Sequence, residues 1–172
     1  GLSPDMILCR TEYKLTKDVK NKIGLFGNVN PEHVIEGSEV KSIYEVPLTL
    51  YNQKVSEIIM DRLQLNGKAN IAYLKNFIKK FKHPKHKVNI AMCGKYTELP
   101  DAYKSVLEAF IHSGVENDTR VKVHWVATED IKNDSDAFTA FHKMDGILLL
   151  PGVGSRGSEG KILSCKFARE NK

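Results

Sequence analysis

The sequence contains only three cysteines, Cys9, Cys93 and Cys165, and they lie far apart along the chain. An odd number at these spacings excludes a disulfide framework and a Cys-x-x-Cys metal site, and it fits a reducing cytoplasm. The chain also lacks an apolar run of about 18 residues, the length that a membrane-spanning helix needs. Its first residues, Gly1 to Asp5, lack the basic-then-apolar order of a signal peptide. We therefore expect no membrane segment and no secretion signal.

The charge of the chain is modest. The chain has 172 residues, and its lysines and arginines outnumber its acidic residues by five, which gives a net charge of +5. Such a balance suits anionic ligands such as nucleotides, although many proteins without such a ligand have the same charge. The length is that of one domain or of two partial domains, and composition leaves both open.

The first 65 residues combine short strands with helices. Residues 6–10 predict a buried strand, and residues 18–26 carry apolar side chains at helical spacing. Residues 34–35 and 42–46 are strand-like, and residues 47–63 predict a helix with an irregular start. The Asn-Gly pair at residues 66 and 67 is typical of a turn.

Residues 66–87 predict a basic linker helix. One apolar stripe at helical spacing is surrounded by lysines from Lys75 to Lys87, and Pro84 ends the helix. A lysine run of this kind also occurs in nucleic-acid-binding proteins. Few aromatic residues are interleaved here, so the pattern favours a solvated helix face, and we expect no nucleic-acid partner. His83 and His86 lie in the same segment and are too few for a metal site.

Residues 88–172 alternate between strands and helices. Strands are predicted at 88–92, 121–126 and 147–150, and helices at 101–112, ending near Gly114, and at 161–170. This order predicts an α/β fold in which helices cover both faces of a parallel sheet. The expected architecture is a partial three-layer, doubly wound sheet, because a further strand would normally follow the last helix. The predicted organisation is two partial domains, residues 1–65 and 88–172, joined by the linker.

The segment Gly152-Val153-Gly154-Ser155-Arg156-Gly157 has the pattern G-x-G-x-x-G between a strand and a helix. Three interpretations remain open. The glycines can form a phosphate-binding turn, although a dinucleotide fingerprint normally opens the first βα unit and precedes an acidic residue. They can form an ordinary tight turn. Their backbone N–H groups can also serve as an oxyanion hole.

Neither later cysteine has the sequence context of a nucleophile. Cys93 follows a strand but no elbow motif surrounds it, and Cys165 lies within a predicted helix. Buried cysteine usually acts as a small apolar residue. The chain therefore has no predicted catalytic residue and no predicted metal ligand.

Several segments in the same order resemble the CTP synthase family. They are residues 2–10 (LSPDMILCR), 22–26 (KIGLF), 42–47 (SIYEVP), 94–106 (GKYTELPDAYKSV) and 151–160 (PGVGSRGSEG), with the continuing likeness of residues 161–162 and 167–171. The resemblance covers nearly the whole chain. It runs from the end of the synthetase domain, over a linker, into the first half of the class I glutaminase domain.

The resemblance implies an enzyme function for the parent protein. The family aminates UTP to CTP with ATP, using ammonia that its glutaminase domain releases from glutamine, and GTP activates the glutaminase step. The substrates would be UTP, ATP and glutamine. The family is cytoplasmic, forms homotetramers and can form filaments. Its Mg²⁺ carboxylates and phosphate-binding loop would lie upstream of Gly1.

The resemblance also implies roles for individual residues. Lys22 matches the lysine that contacts the UTP or CTP phosphates, a task suited to a point charge. Ser38, Glu39 and Val40 match a segment that lines the ATP adenine. The residues Gly152 and Val153 match the glutamine-site loop that supplies an oxyanion N–H.

The loop departs from the family pattern. The family's PGGFG is PGVG here, so the loop is one residue shorter, and Val153 replaces the loop phenylalanine or the phenylalanine is missing. The family nucleophile would lie beyond Lys172, so we expect the isolated chain to be inactive. Two functions remain open: a segment of an active CTP synthase, or a truncated or degenerate paralogue that acts as a subunit or assembly partner.

Overall fold

The computed structural model describes residues 2–152 and 154–171. The chain divides into two compact units, Gly1–Lys79 and Lys80–Lys172. Both contain parallel strands and helices, so the predicted α/β class is confirmed. The division falls inside helix α4 (Ala72–Lys82), within the predicted linker. The boundaries at residues 65 and 88 remain predictions.

The first unit is built on two parallel strands, β1 (Ile7–Thr11) and β2 (Val34–Ser38), paired from Ile7↔Val34 to Thr11↔Ser38. Helix α1 connects them. The hydroxyl of Thr16 accepts from the N–H of Val19 at its start. Val34 and Ile35 are fully buried. The helices of this unit are α1 (Lys17–Gly27), α2 (Val46–Asn52), α3 (Val55–Arg62) and α4, which continues into the second unit.

The strand predicted at residues 42–46 is wrong. Residues Ile43–Glu45 form a 3-10 turn that leads directly into α2. The hydroxyl of Ser42 accepts from the N–H of Tyr44 at 3.4 Å, and Pro47 lies in the first turn of α2, where its missing N–H costs nothing. These two helix-start signals override the β-branched content of the segment. The helix predicted over 47–63 is divided at Lys54, which has a φ of 60°.

The second unit is a three-stranded parallel sheet with the strand order β4-β3-β5. Along β3, Ala91 and Cys93 face α6 and α7, and Met92 faces α5, so alternate residues enter two separate cores. The three-layer, doubly wound arrangement is therefore confirmed for this unit. Its elements are β3 (His86–Gly94), α5 (Lys104–Glu116), β4 (Thr119–Ala127), α6 (Asp134–Phe141), β5 (Gly146–Leu149) and α7 (Ser158–Glu170).

Two helix boundaries differ from the prediction. Helix α5 does not stop near Gly114 but continues to Glu116. Gly114 is needed for another reason, since a Cβ there would collide with the carbonyl group of Thr119, where the chain turns into β4. Helix α7 begins at Ser158, three residues before the predicted start. Within residues 2–152 and 154–171, no helix is long and apolar enough to cross a membrane.

Candidate functional site: a glycine loop at the sheet edge

The glycine loop leaves the sheet beside the end of its central strand. β3 lies between β4 and β5, so the connections after β3 and β5 diverge at the carboxyl edge, where ligands of open α/β sheets bind. The N–H of Leu150 donates to the carbonyl oxygen of Cys93 at 2.8 Å. A Cβ on Gly94 would lie only 2.8 Å from the Cβ of Leu150, so the glycine permits this close contact. The start of the loop is thereby fixed.

Two charged contacts hold the loop in place. The ammonium group of Lys161, in the first turn of α7, donates to the carbonyl oxygen of Leu150 at 2.8 Å. The guanidinium of Arg156 lies 2.7 Å from the carboxylate of Glu129, in the turn that follows β4. The loop is therefore anchored to its own helix on one side and to the neighbouring connection on the other.

Thr128 fills the space beneath the end of the loop. It is fully buried, and its hydroxyl reaches the carbonyl oxygen of Gly94 at 3.5 Å. A Cβ on Gly157 would collide with this hydroxyl, and a Cβ on Gly160 would collide with the Thr128 carbonyl group. Gly157 also has a φ of 72°, which favours glycine. These two glycines are thus explained by packing and backbone conformation.

Gly152 has no such explanation. The nearest atoms to a Cβ placed on it are Lys161 Nζ at 3.7 Å and Lys95 Cδ at 4.0 Å, which are ordinary contacts, and its φ lies outside the positive region. The fold would accept a side chain at this exposed position. A glycine that the protein's own packing does not require is available for close approach by a ligand.

Two lysines bracket the loop. Lys95 directly follows β3 and is buried, with 8% of its surface exposed, and its Nζ lies 3.8 Å from the position of a Cβ on Gly154. Its carbonyl oxygen accepts from the hydroxyl of Tyr103 at 2.7 Å. Together with Lys161, this places two cationic groups beside the Gly152 turn. Positive groups and backbone N–H donors at a strand end suit a carboxylate or a developing oxyanion.

A polar cleft of about 330 Å³ adjoins the loop. It is lined from the residues after β3, from the turn after β4, and from Arg156. Both acidic and basic side chains face it, including Glu98, Glu129 and Asp130. A cleft of this size is at the lower end of the range for small-ligand sites. Val153, the other predicted loop residue, lies outside the described residues.

No cysteine of the chain lies at the loop as a reactive thiolate. Cys93 is completely buried, and burial raises the pKa of its thiol to about 12. Among the described residues, its Sγ donates to the carbonyl oxygen of Ala91 at 3.8 Å. Cys165 is exposed on α7. Across the described ranges, no three histidine, cysteine or acidic side chains are grouped to hold a metal ion.

The first unit has a cleft of about 340 Å³ beside β2, and Ser38 lines it. The side-chain amide of Gln53 imitates a neighbouring strand here: its Nε2 donates to the Glu36 carbonyl at 2.7 Å, and its Oε1 accepts from the Glu36 N–H at 2.8 Å. The Glu36 carboxylate accepts from the N–H of Leu15 at 2.7 Å. These hydrogen bonds hold Glu36 and Gln53 in the lining of the cleft.

The predicted nucleotide residues of this unit are separated. Ser38 lies at the end of β2, and Glu39 and Val40 follow it in an irregular segment. Lys22 is exposed on α1 and is not among the residues that line the Ser38 cleft. Lys20, half-buried and two residues earlier, does line it. Residues two apart on a helix point to different sides, so only one of these lysines faces the cleft.

The sequence reasoning missed four residues of these sites. Lys95 and Lys161 lie within the segments that carry the family resemblance, and a lysine directly after an apolar strand was a usable signal. Thr128 and Gln53 gave none, because each acts through contacts with residues that are distant in sequence.

The comparisons with known proteins define the class of each unit. A model of the class-I glutamine amidotransferase family matches residues 98–172, and a model of the CTP synthase N-terminus matches residues 1–65. A solved structure, the Trypanosoma brucei CTPS glutaminase domain with bound acivicin, is 34% identical over 49% of this chain and 33% of that chain, with a TM-score of 0.45. At that TM-score the assignment rests on sequence.

The curated relatives make the assignment particular. CTP synthases from Cytophaga hutchinsonii, Chlorobaculum tepidum and Caldanaerobacter subterraneus subsp. tengcongensis share 44%, 45% and 46% sequence identity with this chain. The matches cover 99–100% of its length. The chain spans about a third of their length, 31–32%. The resemblance to CTP synthase is therefore confirmed, and the matched third carries both a CTP synthase N-terminus match and a class-I glutamine amidotransferase match.

Proposed function

We propose that the chain serves as the central part of a CTP synthase that aminates UTP to CTP with ATP and glutamine-derived ammonia. The observation that carries this proposal is the exposed Gly152, which the chain's own packing does not require and which lies between two lysines at the sheet edge. The collinear resemblance supports a role for this position in glutamine binding. In this proposal, backbone N–H groups of the loop stabilise the oxyanion formed when the amide of glutamine is attacked.

The nucleotide roles belong to the same proposal. Ser38, Glu39 and Val40 line the ATP adenine through backbone groups, and Lys22 contacts the phosphates of UTP or CTP. Mg²⁺ is held by carboxylates of the synthetase region that precedes this segment in the relatives, and GTP activates glutamine hydrolysis. We place the assembled protein in the cytoplasm as a homotetramer, able to form filaments, on the family resemblance alone.

A second candidate function follows from the shortened loop. PGVG lacks one glycine and the phenylalanine of the family's PGGFG, and such a loss suits a paralogue that no longer hydrolyses glutamine. That protein would act as a subunit or assembly partner of an active enzyme. The contacts of Lys161 and Arg156 keep the rest of the loop anchored, which favours the first function.

The test is a segment exchange. The corresponding third of the Chlorobaculum tepidum CTP synthase, to which this chain is 45% identical, is replaced by this chain. CTP formation is then measured with glutamine and, separately, with ammonium ion as the nitrogen source. We expect formation from both. Formation from ammonium alone would favour the non-catalytic glutaminase, and formation from neither by a folded, nucleotide-binding exchange protein would overturn the proposal.

A further inference from the structure

The second unit contains a mostly apolar cavity that the proposed function does not use. Its volume is about 300 Å³, and it lies between the segment before β3, helix α5 and the start of β4. Leu107, Phe110 and Val123 form part of its wall and also pack against the core on the α5 face of the sheet. None of the described residues of the glycine loop or of α7 lines it.

The size of the cavity suits a small apolar group. An apolar cavity of about 150 Å³ is enough to take up benzene. The volume here is about 300 Å³, at the lower end of the range for ligand sites. Leu107, Phe110 and Ile111 remain half-buried rather than fully covered, so an incoming chain would remove their apolar surface from water.

The charge beside the cavity is positive. The lining includes Lys80 and Arg120. Lys80 Nζ lies 4.0 Å from the carboxylate of Asp118, which Lys85 already contacts at 3.0 Å. Lys80 and Lys85 thus share this one carboxylate, and Arg120 adds a further positive charge, so the charge beside the cavity is positive. An apolar cavity with such a rim is complementary to a molecule with an apolar tail and an anionic head.

We propose that this cavity binds an amphiphilic monoanion, a straight-chain carboxylate of medium length, with its tail against Ile111 and its carboxylate beside Arg120. The tail gains most of the affinity by leaving water, and affinity should rise about fourfold for each added methylene group until the cavity is filled. The positive rim makes binding selective for anions over cations. Added salt weakens binding because the rim is exposed.

The chain carries its own reporter. Trp125 is the only tryptophan, and it packs in the same core cluster as Leu107, Phe110 and Val123. The intact chain is titrated with octanoate and decanoate, and binding is followed by tryptophan fluorescence and by isothermal titration calorimetry. We expect saturable binding of both, with an affinity for decanoate about 15-fold higher than that for octanoate. Decyltrimethylammonium, with a similar tail and opposite charge, should bind at least tenfold more weakly.

Two variants with matched controls locate the site. Ile111→Phe reduces the free volume and should weaken decanoate binding at least tenfold, whereas Ile162→Phe, on an exposed position of α7, should not change it. Arg120→Gln should weaken the binding of decanoate but not that of decyltrimethylammonium. Arg169→Gln, on α7, is its matched control. Circular dichroism confirms that each variant is folded. Absence of saturable decanoate binding to the chain, or equal affinities in Ile111→Phe and Ile162→Phe, would overturn the proposal.

Discussion

The ammonium group of Lys161 lies 2.8 Å from the carbonyl oxygen of Leu150, so the first turn of α7 is tied to the residue that follows β5. A lysine near the start of a helix would ordinarily face an unfavourable helix dipole. Here the ammonium finds a carbonyl acceptor instead. The contact closes the base of the glycine loop.

Removal of this contact should weaken the fold by a measurable amount. A hydrogen bond from a charged donor contributes about 1.5–3 kcal/mol when well buried, and Lys161 is only half-buried. We expect Lys161→Met to lower the free energy of unfolding of the chain by about 1 kcal/mol in urea denaturation. Lys166→Met breaks a solvent-exposed ion pair with Asp134 and should leave the free energy of unfolding nearly unchanged. Equal effects would contradict the anchoring role of Lys161.

The glycines near the loop should differ sharply in their tolerance of alanine. Gly160→Ala places a methyl group against the carbonyl group of buried Thr128, with Thr128 C at 2.8 Å and Ile131 O at 3.2 Å. Because backbone atoms must move, we expect a loss of about 2–4 kcal/mol in unfolding free energy. Gly152→Ala meets only side-chain atoms at 3.7 Å or more and should change it by less than about 1 kcal/mol. Thermal and urea denaturation of both variants compare these effects, and a large loss for Gly152→Ala would show that packing requires that glycine.

Much of the fold could be predicted from the sequence because it depends on local patterns. The largely apolar run 88–92 lies within strand β3, and all but the last residue of the apolar run 147–150 lie within β5, because helices cover both faces of the sheet and favour apolar side chains there. Residues 42–46 could not be predicted by the same reasoning. Their β-branched content indicates a strand, whereas Ser42 and Pro47 start helical turns, and the two signals compete over five residues.

The thiols should react with alkylating reagents in a fixed order. Burial raises the pKa of Cys93 to about 12, so at pH 8 only about one molecule in 10⁴ carries its thiolate. Cys165 is exposed and Cys9 is partly exposed. We expect iodoacetamide at pH 8 to label Cys165 first and Cys93 only on unfolding, as measured by peptide mass spectrometry over time. Early labelling of Cys93 in the folded chain would contradict its buried position.

The lysines of α1 allow a direct test of the nucleotide assignment. Lys22 carries the predicted phosphate contact, whereas Lys20 lines the cleft beside Ser38. In the exchange protein, we expect Lys22→Ala to weaken UTP binding by about 10- to 150-fold, since a charge-assisted contact is worth about 1.5–3 kcal/mol. Glutamine hydrolysis should persist. Calorimetric titration of UTP and ATP into both variants separates the alternatives: if Lys20→Ala loses UTP affinity and Lys22→Ala does not, the assignment of Lys22 is wrong.

The candidate sites were only partly predictable, for a physical reason. Gly152 could be singled out because the motif marks it, and Ser38 because the resemblance covers it. Thr128 and Gln53 have no motif. Thr128 matters through its contacts with Gly94, Gly157 and Gly160, which lie about 30 residues away on either side. Such roles follow from the strand order, which one sequence without a structure does not specify.

Gly152 is proposed to be a glycine because glutamine approaches its backbone closely, not because the packing of the chain requires it. The most direct measurement is the rate of CTP formation by the exchange protein with and without Gly152→Ala, with glutamine or ammonium ion as the nitrogen source. The added methyl group fits the fold but intrudes where glutamine would lie, and misplacement of about 1 Å costs up to about 100-fold in rate. We expect a 10- to 100-fold lower rate with glutamine and an unchanged rate with ammonium. Unchanged rates with both nitrogen sources, in an exchange protein that uses glutamine, would contradict it.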